Sequence, residues 1–138
     1  MPHWEHFEHK ADIGLRGYGA TPAEAFGQCA LALTAVITDV AAVAPRAAIT
    51  IACTAPELET QLLNFLDALL LEMGLRKMLF SRFEVRIEGG SLTATAWGEP
   101  VDVARHQPAV EVKAATYHAL AVHQQPDGTW LAQCVVDV

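Results

Sequence analysis

The pattern of apolar and polar positions predicts two short extended segments at the start of the chain, residues 3–9 and 13–19, followed by a helix. Thr21 precedes a proline and lies three places before Glu24, which is the spacing of a helix capping box with proline in the first turn. The alanine- and leucine-rich helix that follows is expected to end near Asp39.

A strand and a second helix are predicted next. Residues 47–54 (AAITIACT) carry enough β-branched side chains for a strand. Thr54 and Glu57 repeat the spacing of a capping box. Apolar residues then recur at helical spacing over residues 58–73, and Gly74 is a typical residue for the end of a helix.

The second half of the chain is predicted to consist of strands. Apolar and charged residues alternate over residues 83–88, and three further extended segments follow, with turns at Gly89-Gly90 and Asp127-Gly128 before the first and the last of them. These segments are residues 92–97, 110–123 and 130–138. Two helices among six or seven strands indicate a single α+β domain over residues 1–138, with two layers in which the helices pack on a mostly antiparallel or mixed sheet.

The composition is that of a globular domain that does not bind nucleic acid by itself. Hydrophobic residues make up 52% of the 138 residues and charged residues 18%, which is sufficient for a core without disulfides or a structural metal. The formal net charge is -7. Because binding to phosphates depends mainly on Lys and Arg, this acidity argues against the domain binding nucleic acid by itself.

The cysteines and the apolar segments give no sign of secretion or membrane insertion. The three cysteines are widely spaced without a C-x-x-C pair, so we interpret them as reduced, buried apolar residues. No secretory signal opens the chain. The longest apolar stretch, residues 29–44, contains Asp39 and is too short to span a bilayer. We therefore expect a cytoplasmic protein.

Histidines are frequent near the start of the chain, but their spacing does not favour a metal site. On an extended segment His3 and His9 point to one face and His6 to the other, and the H-E-x-x-H pattern of zinc peptidases is absent. No nucleophile elbow, catalytic cysteine signature or phosphate-binding glycine loop is present either. The sequence therefore predicts no catalytic residues.

Two aspartates are better candidates for chemistry. Asp12 follows the first extended segment, and Asp137 is the penultimate residue of an apolar strand, beside the terminal carboxylate. If these carboxylates meet, two unit charges about 4 Å apart repel by roughly 4 kcal/mol at an effective dielectric constant near 20. Such a cluster requires a proton, a Lys or Arg, or a cation, and oxygen ligands favour Ca²⁺ or Mg²⁺. A solvated strand end is the alternative.

Several segments resemble the archease family. Residues 9–13 (HKADI) are similar to its H-T-A-D-I signature, residues 111–118 (EVKAATYH) to its E-V-K-A-x-T-Y-H block, and residues 136–138 (VDV) to its ending. Shorter matches lie at Thr38-Asp39 and around Phe80, so the resemblance covers essentially the whole chain. The E-V-K-A block together with the final aspartate is the specific part of the match.

The resemblance implies a non-enzymatic activator of a GTP-dependent RNA ligase of the RtcB type. Such a ligase joins 2′,3′-cyclic-phosphate or 3′-phosphate ends to 5′-hydroxyl ends in tRNA splicing or RNA repair. The accessory protein promotes guanylylation of the ligase and so permits multiple turnover. The ligase is therefore the expected partner. RNA is expected to be contacted only indirectly, and neither a small-molecule substrate nor a membrane is expected.

The resemblance also implies which residues form the site. Asp12, Asp137 and the main-chain oxygen of Val138 would bind a divalent cation, Ca²⁺ in the first place, with Mg²⁺ or Mn²⁺ as alternatives. Lys113 carries over as a residue important for activation, and Glu111 and His9 belong to the same motifs.

Lys10 departs from the family pattern, in which a threonine stands at this position. If the segment is extended, Lys10 and Asp12 share a face, and the ammonium group could neutralise Asp12 and weaken metal binding. Two other functions use the same acidic cluster: a metal-dependent hydrolase, which needs an open metal position in a concave pocket, and a chaperone-like binding module.

Overall fold

A computed structural model describes residues 1–138. It contains seven strands, two long helices, a short helix and one 3-10 turn. In chain order these are β1 (His3–His9), β2 (Asp12–Gly19), α1 (Pro22–Ile37), the 3-10 turn (Val40–Ala42), β3 (Ala47–Thr54), α2 (Leu58–Arg76), β4 (Met78–Glu88), β5 (Ser91–Pro100), α3 (Val103–His106), β6 (Ala114–Gln124) and β7 (Trp130–Asp137).

The strands form two antiparallel sheets, and the prediction of an α+β domain is confirmed. One sheet has the order β1-β2-β7-β6 and the other the order β3-β5-β4. Both long helices pack against strands of both sheets, so the helices lie between the sheets. The sequence pattern predicted one sheet covered by helices. The pattern could not show that the strands divide into two sheets, because periodicity indicates which face of a strand is apolar and does not indicate which strands pair.

Helix α1 begins at the predicted capping box. The Glu24 backbone N–H donates to Thr21 Oγ1 at 3.1 Å, and Glu24 Oε1 accepts from the Ala20 N–H at 2.8 Å. The helix lies very close to β2, because a Cβ atom at Gly17 would be only 2.2 Å from the Ala25 carbonyl oxygen. Glycine at this position therefore sets the distance between α1 and the four-stranded sheet.

Helix α2 begins at Leu58, where the predicted apolar pattern begins, but the predicted capping box is wrong and the helix extends past its predicted end. Thr54 pairs with Ser91 in the β3–β5 ladder, and the helix starts after Glu57, whose side chain makes no capping hydrogen bond. At the other end the helix continues through Gly74 to Arg76. Lys77 takes the left-handed conformation with φ of 54° and donates its N–H to the Met73 carbonyl, which satisfies the helix end without glycine.

β6 begins at Ala114, four residues later than predicted, because residues 101–113 form a separate connection that includes α3. Buried Glu99, whose side chain is 2% exposed, accepts hydrogen bonds from the Ala44 N–H at 2.8 Å and from His106 Nε2 at 2.9 Å. These two bonds, together with Arg105, whose Nη2 lies 2.9 Å from Glu99 Oε1, lower the pKa of Glu99 to about 2. The Thr38 hydroxyl donates to the His106 carbonyl at 2.5 Å, so α3 is attached to the end of α1.

The core lies between the two sheets, and the two long helices and the strands contribute to it in equal measure. Thirty buried residues make one continuous cluster. Cys29 and Cys134 are fully buried, as predicted, whereas Cys53 is only half-buried; all three are free thiols. No helix has the length and apolar character needed to span a membrane.

Candidate functional site

The two faces of the four-stranded sheet have different surroundings. His6 points toward the helices, where its Nε2 lies 2.7 Å from the Ala32 carbonyl oxygen of α1. His3 is on the opposite, outer face and stacks on Tyr18 with ring centroids 4.3 Å apart. The histidines of β1 therefore alternate between the faces, as predicted from their spacing.

Strand register places the two candidate aspartates next to each other. His9 pairs with Asp12 across the β1–β2 hairpin, and Ile13 pairs with Val136 between β2 and β7. Continuing this antiparallel register by one residue on each strand, from Ile13 to Asp12 and from Val136 to Asp137, sets the two aspartates opposite each other. Residues opposite each other project from the same face with Cα atoms about 4.5–5.5 Å apart. His9, Asp12 and Asp137 thus form a row across one end of the outer face.

The E-V-K-A segment is attached to the same end of the sheet. The Lys113 N–H donates to the Asp137 carbonyl at 2.8 Å, and Ala114 pairs with Asp137 in the β6–β7 ladder. Asp67 of α2 accepts the Ala115 N–H at 2.8 Å. Val112 is buried, whereas Glu111 and Lys113 on either side of it are exposed and do not pair with each other.

Val138 follows the last residue of β7 and is anchored by its side chain. Its side chain packs against the hydrophobic core, while Asp137 before it is exposed. Val138 therefore follows Asp137 directly at the end of β7, with its side chain anchored in the core.

A bulge in β6 brings another histidine to this end of the sheet. The β6–β7 register shifts between Thr116 and Ala121, and Ala119 within the shift has φ of 52°. The bulge leaves Tyr117 73% exposed and places the His118 ring 5.7 Å from the His9 ring. His9 Nδ1 is buried without a hydrogen-bond partner.

His118 was not among the candidate site residues predicted from the sequence. The only signal for it was its place at the end of the E-V-K-A-x-T-Y-H block. The bulge could not be predicted, because no glycine or proline marks it in the sequence.

Lys10 does not lie on a strand, so the expectation that it shares a face with Asp12 is wrong. It occupies the two-residue turn of the β1–β2 hairpin with φ of 56° and is exposed. The side chain of Asp12 forms no ion pair with Lys10 or with any other basic residue. The same is true of Asp137, so neither carboxylate is neutralised by a neighbouring cation.

The groups at this end of the sheet supply the type of donor atom that a hard cation prefers. They supply too few side chains to surround such a cation. Asp12, Asp137 and the main chain of Val138 offer only oxygen, the donor type preferred by Ca²⁺ and Mg²⁺. No group of three or more His, Cys, Asp or Glu side chains is arranged around a common point. A cation held here would therefore need the main-chain oxygen and water to complete its coordination.

Asp12 also lines a shallow depression of about 260 Å³ with His6, Phe7, Glu8 and Ile13. This volume is just under the range of roughly 300–1,000 Å³ typical of small-molecule sites. Asp137 and Lys113 are not part of it, so the two aspartates do not share a concave pocket of the kind that the hydrolase alternative requires.

Comparison with known proteins identifies related chains along the full length. The model of the Archease protein family (MTH1598/TM1083) matches residues 4–138. The protein archease of Pyrococcus abyssi (strain GE5 / Orsay) and that of Thermococcus gammatolerans (strain DSM 15229 / JCM 11827 / EJ3) are each 44% identical over 142 residues, and the alignments cover the whole of both chains.

Two solved structures share the fold. The solution structure of Methanobacterium thermoautotrophicum protein 1598 has a TM-score of 0.86 and 32% sequence identity, and the match covers 98% of each chain. The crystal structure of an archease from Thermotoga maritima, described as a possible chaperone, has a TM-score of 0.64 with 97% of this chain and 96% of that chain covered. Its sequence identity of 18% supports similarity of fold only.

Proposed function

Because the chain belongs to the archease family, we propose that it is a non-enzymatic accessory protein that activates an RtcB-type, GTP-dependent RNA ligase in the cytoplasm. In this function it promotes guanylylation of the ligase and permits multiple turnover in tRNA splicing or RNA repair. The observation that carries the proposal is the register that sets Asp12 opposite Asp137, with Lys113 bonded to the main chain of Asp137. Three family motifs distant in sequence thereby meet at one end of one sheet.

The proposal includes a divalent cation, Ca²⁺ in the first place and Mg²⁺ or Mn²⁺ as alternatives, held by Asp12, Asp137 and the main-chain oxygen of Val138. The donor chemistry supports it, since all three groups supply oxygen and neither carboxylate has a basic partner. A bound ion would neutralise the adjacent negative charges and order the strand ends. His9 lies in the same row and would orient the hairpin that carries Asp12.

The side chains at this end are suited to binding and orientation. Lys113 is exposed and unpaired, so its ammonium group is free to contact an acidic group of the ligase. Glu111, two residues earlier, projects beside it as a second polar contact. With a net charge of -7, the protein would approach RNA only through the ligase.

A ligation time course with limiting cognate ligase and excess RNA tests the proposal. We expect the wild-type protein to increase the number of turnovers per ligase, and Asp12→Asn, Asp137→Asn and Lys113→Ala to lose the increase while remaining folded. Glu88→Gln and Arg86→Ala serve as matched controls, because both residues are exposed on β4, in the other sheet. Stimulation by Asp137→Asn equal to that by wild type would reject the role of the acidic pair.

Cation binding is tested separately by calorimetric titration of Ca²⁺, Mg²⁺ and Mn²⁺. Wild-type protein is expected to bind one of these ions and Asp137→Asn to bind none of them. Equal heats for the two proteins would place any bound ion elsewhere on the chain.

A chaperone-like module is the second candidate, since the Thermotoga maritima structure is described as a possible chaperone. Such a module would bind its partner through surfaces outside the acidic pair. Retained binding and retained activation of the partner by the Asp12→Asn, Asp137→Asn double variant would favour it over the proposed mechanism.

A further inference from the structure

Four strands have a free edge, and β3 is the one among them without a charge or an irregularity. β1 and β6 are the edges of the four-stranded sheet, and β3 and β4 are those of the three-stranded sheet. β1 carries two glutamates, and β4 carries alternating arginines and glutamates. The pairing of β4 and of β6 is also interrupted by a register shift. Charges and bulges of this kind keep a sheet edge from pairing with another chain.

The edge of β3 (AAITIACT) presents unpaired main-chain groups. The Ala55 N–H donates to the Gly90 carbonyl at 2.9 Å and so continues the β3–β5 register, which has no shift. Hydrogen bonds in an antiparallel ladder involve every second residue. Odd-numbered residues of β3 therefore bond to β5, whereas the N–H and C=O groups of Ala48, Thr50 and Ala52 point away from it. A straight, uncharged edge of this kind is a template for a further strand.

An exposed strip of α2 lies beside this edge. The strip consists of residues at helical spacing on one side of the helix, Asn64, Ala68, Leu71 and Leu75. Leu71 and Leu75 are 60% and 71% exposed. Asn64 Nδ2 donates to the Thr54 carbonyl at 3.4 Å, which places the strip next to the end of β3. The free edge of β3 and this strip together form one surface, called the lateral surface below.

The charged residues of α2 on either side of the strip are engaged within the chain. Asp67 accepts the Ala115 N–H at 2.8 Å, and the Glu72 carboxylate pairs with Arg76 Nε at 2.6 Å. The edge and the strip themselves carry no charge. No charge repulsion within the lateral surface therefore opposes its contact with a second copy of itself.

The charges that flank β3 favour an antiparallel copy of the same strand. Arg46 directly precedes β3 with a side chain that is 74% exposed, and Glu57 is the first charged residue after the strand. Arg46 Nε lies 3.7 Å from Glu99 Oε1, too far for a hydrogen bond, so its donors remain free. When two copies of β3 pair antiparallel, the start of one lies beside the end of the other. Each Arg46 then approaches Glu57 of the other copy.

The edge and the strip also share the centre of such a pair. The short connection at residues 55–57 makes α2 run back along β3. From Thr54 to Ile51 the strand extends about 10 Å, and from Asn64 to Leu71 the helix rises about 10 Å in the same direction. Because Asn64 contacts Thr54, Leu71 is level with Ile51. A two-fold axis beside Ile51 would therefore also bring the two Leu71 side chains together.

We propose that the lateral surface joins two copies of this chain into a two-fold symmetric dimer. The β3 strands pair antiparallel, with main-chain hydrogen bonds from Thr50 to Ala52 of the other copy, and the two three-stranded sheets become one continuous sheet. The α2 strips pack against each other at Leu71. A two-fold contact closes after two copies, so the assembly ends as a dimer. Asp12 and Asp137 lie on β2 and β7 of the other sheet, so the inference is independent of the proposed function.

Sedimentation velocity over a concentration series tests the proposal with variants on two separate elements. Thr50→Pro removes an N–H that β5 does not use, and proline is tolerated on the open side of an edge strand. Thr50→Val is its matched control, because it keeps both the N–H and the β-branched shape. Leu71→Lys sets two like charges at the two-fold axis. Val103→Lys, at a valine of α3 that is 72% exposed, is the control for the added charge.

The wild type and both controls are expected to be dimers at micromolar concentration. Thr50→Pro and Leu71→Lys are each expected to raise the Kd of the dimer at least about tenfold. Far-UV circular dichroism checks that each variant is folded, and Leu71→Lys, at an exposed position, tests the proposal even if Thr50→Pro does not fold.

Hydrogen exchange followed by NMR gives a direct readout of the paired edge. The N–H groups of Thr50 and Ala52 should be protected only at concentrations at which the dimer forms. Those of Ile49 and Ile51, which bond to β5, should be protected at every concentration.

Exchanging the flanking charges tests the antiparallel arrangement. Arg46→Glu and Glu57→Arg each place like charges at the ends of the pair, so each variant alone should associate more weakly than the wild type at low salt. An equimolar mixture of the two restores both opposite-charge contacts and should associate as the wild type does. A mixture as weak as its components would overturn the antiparallel pairing.

Three results would overturn the proposal as a whole. These are a wild type that is monomeric at every concentration, a dimer that persists unchanged in Thr50→Pro or in Leu71→Lys, and fast exchange of the Thr50 N–H in the dimer. If the wild type is monomeric and Thr50→Pro weakens its binding to the cognate ligase, the edge of β3 pairs with an extended segment of the ligase. That result would overturn the dimer as well.

Discussion

Replacing Asp137 by asparagine is expected to stabilise the cation-free protein while it abolishes activation. Asp12 and Asp137 are cross-strand neighbours on the outer face, and neither forms an ion pair. Like charges directly opposite each other on a sheet are destabilising. Asparagine keeps the shape of the side chain and removes one of the two charges.

The magnitude follows from the register. If the carboxylate separation equals the Cα spacing of opposite residues, about 5 Å, the repulsion is roughly 1 kcal/mol in water and about 3 kcal/mol at an effective dielectric constant of 20. Asp137 is exposed and Asp12 is half-buried, so the smaller value applies. A gain of about 1 kcal/mol raises the melting temperature of a domain of this size by roughly 4 °C.

The assay is urea unfolding in EDTA at low ionic strength, carried out on Asp12→Asn, Asp137→Asn and the double variant. Each single variant should gain stability, and the double variant should gain little more, because one substitution already removes the repulsion. Added Ca²⁺ should reverse the order, since it stabilises only a protein that binds it. Asn variants less stable than the wild type, or a gain that high salt does not reduce, would refute the reasoning.

Three further predictions concern the fold. Gly17→Ala should destabilise the protein by at least about 1–3 kcal/mol in urea unfolding, because the new Cβ would meet the Ala25 carbonyl oxygen at 2.2 Å; unchanged stability would contradict the close approach of α1 and β2. Because hydrogen bonds lower the pKa of Glu99 from 4.5 to about 2, its contribution to stability is complete above about pH 4.5 and disappears as the pH falls toward 2. The unfolding free energy of Glu99→Gln should therefore fall less steeply over this range than that of the wild type, and parallel pH profiles would count against the assignment. Burial raises the pKa of the Cys29 thiol well above its usual value and that of Cys134 to about 11, so both should react with a thiol reagent only after denaturation. Rapid labelling of Cys134 in the native protein would show that the core opens.

The elements predicted correctly are those specified by residues close together in sequence. The Thr21–Glu24 capping box marks the start of α1, and the alternating pattern after Phe83 marks a strand. The predictions failed where a distant contact changed the local preference. Thr54 pairs with Ser91 in the β3–β5 ladder and therefore does not cap α2. The segment before β6 is attached to Glu99 and to the end of α1, so β6 begins only at Ala114.

The sequence by itself determined the α+β class, most of the strands and the residues that carry the family motifs, because these depend on local periodicity and on residue identity. Only the tertiary structure decided that Asp12 faces Asp137, that a bulge brings His118 to His9, and that the free edge of β3 lies beside an exposed strip of α2. The physical reason is sequence separation. Asp12 and Asp137 become neighbours through the pairing of β2 with β7, and the periodicity within each strand specifies its buried face but neither its partner nor its register.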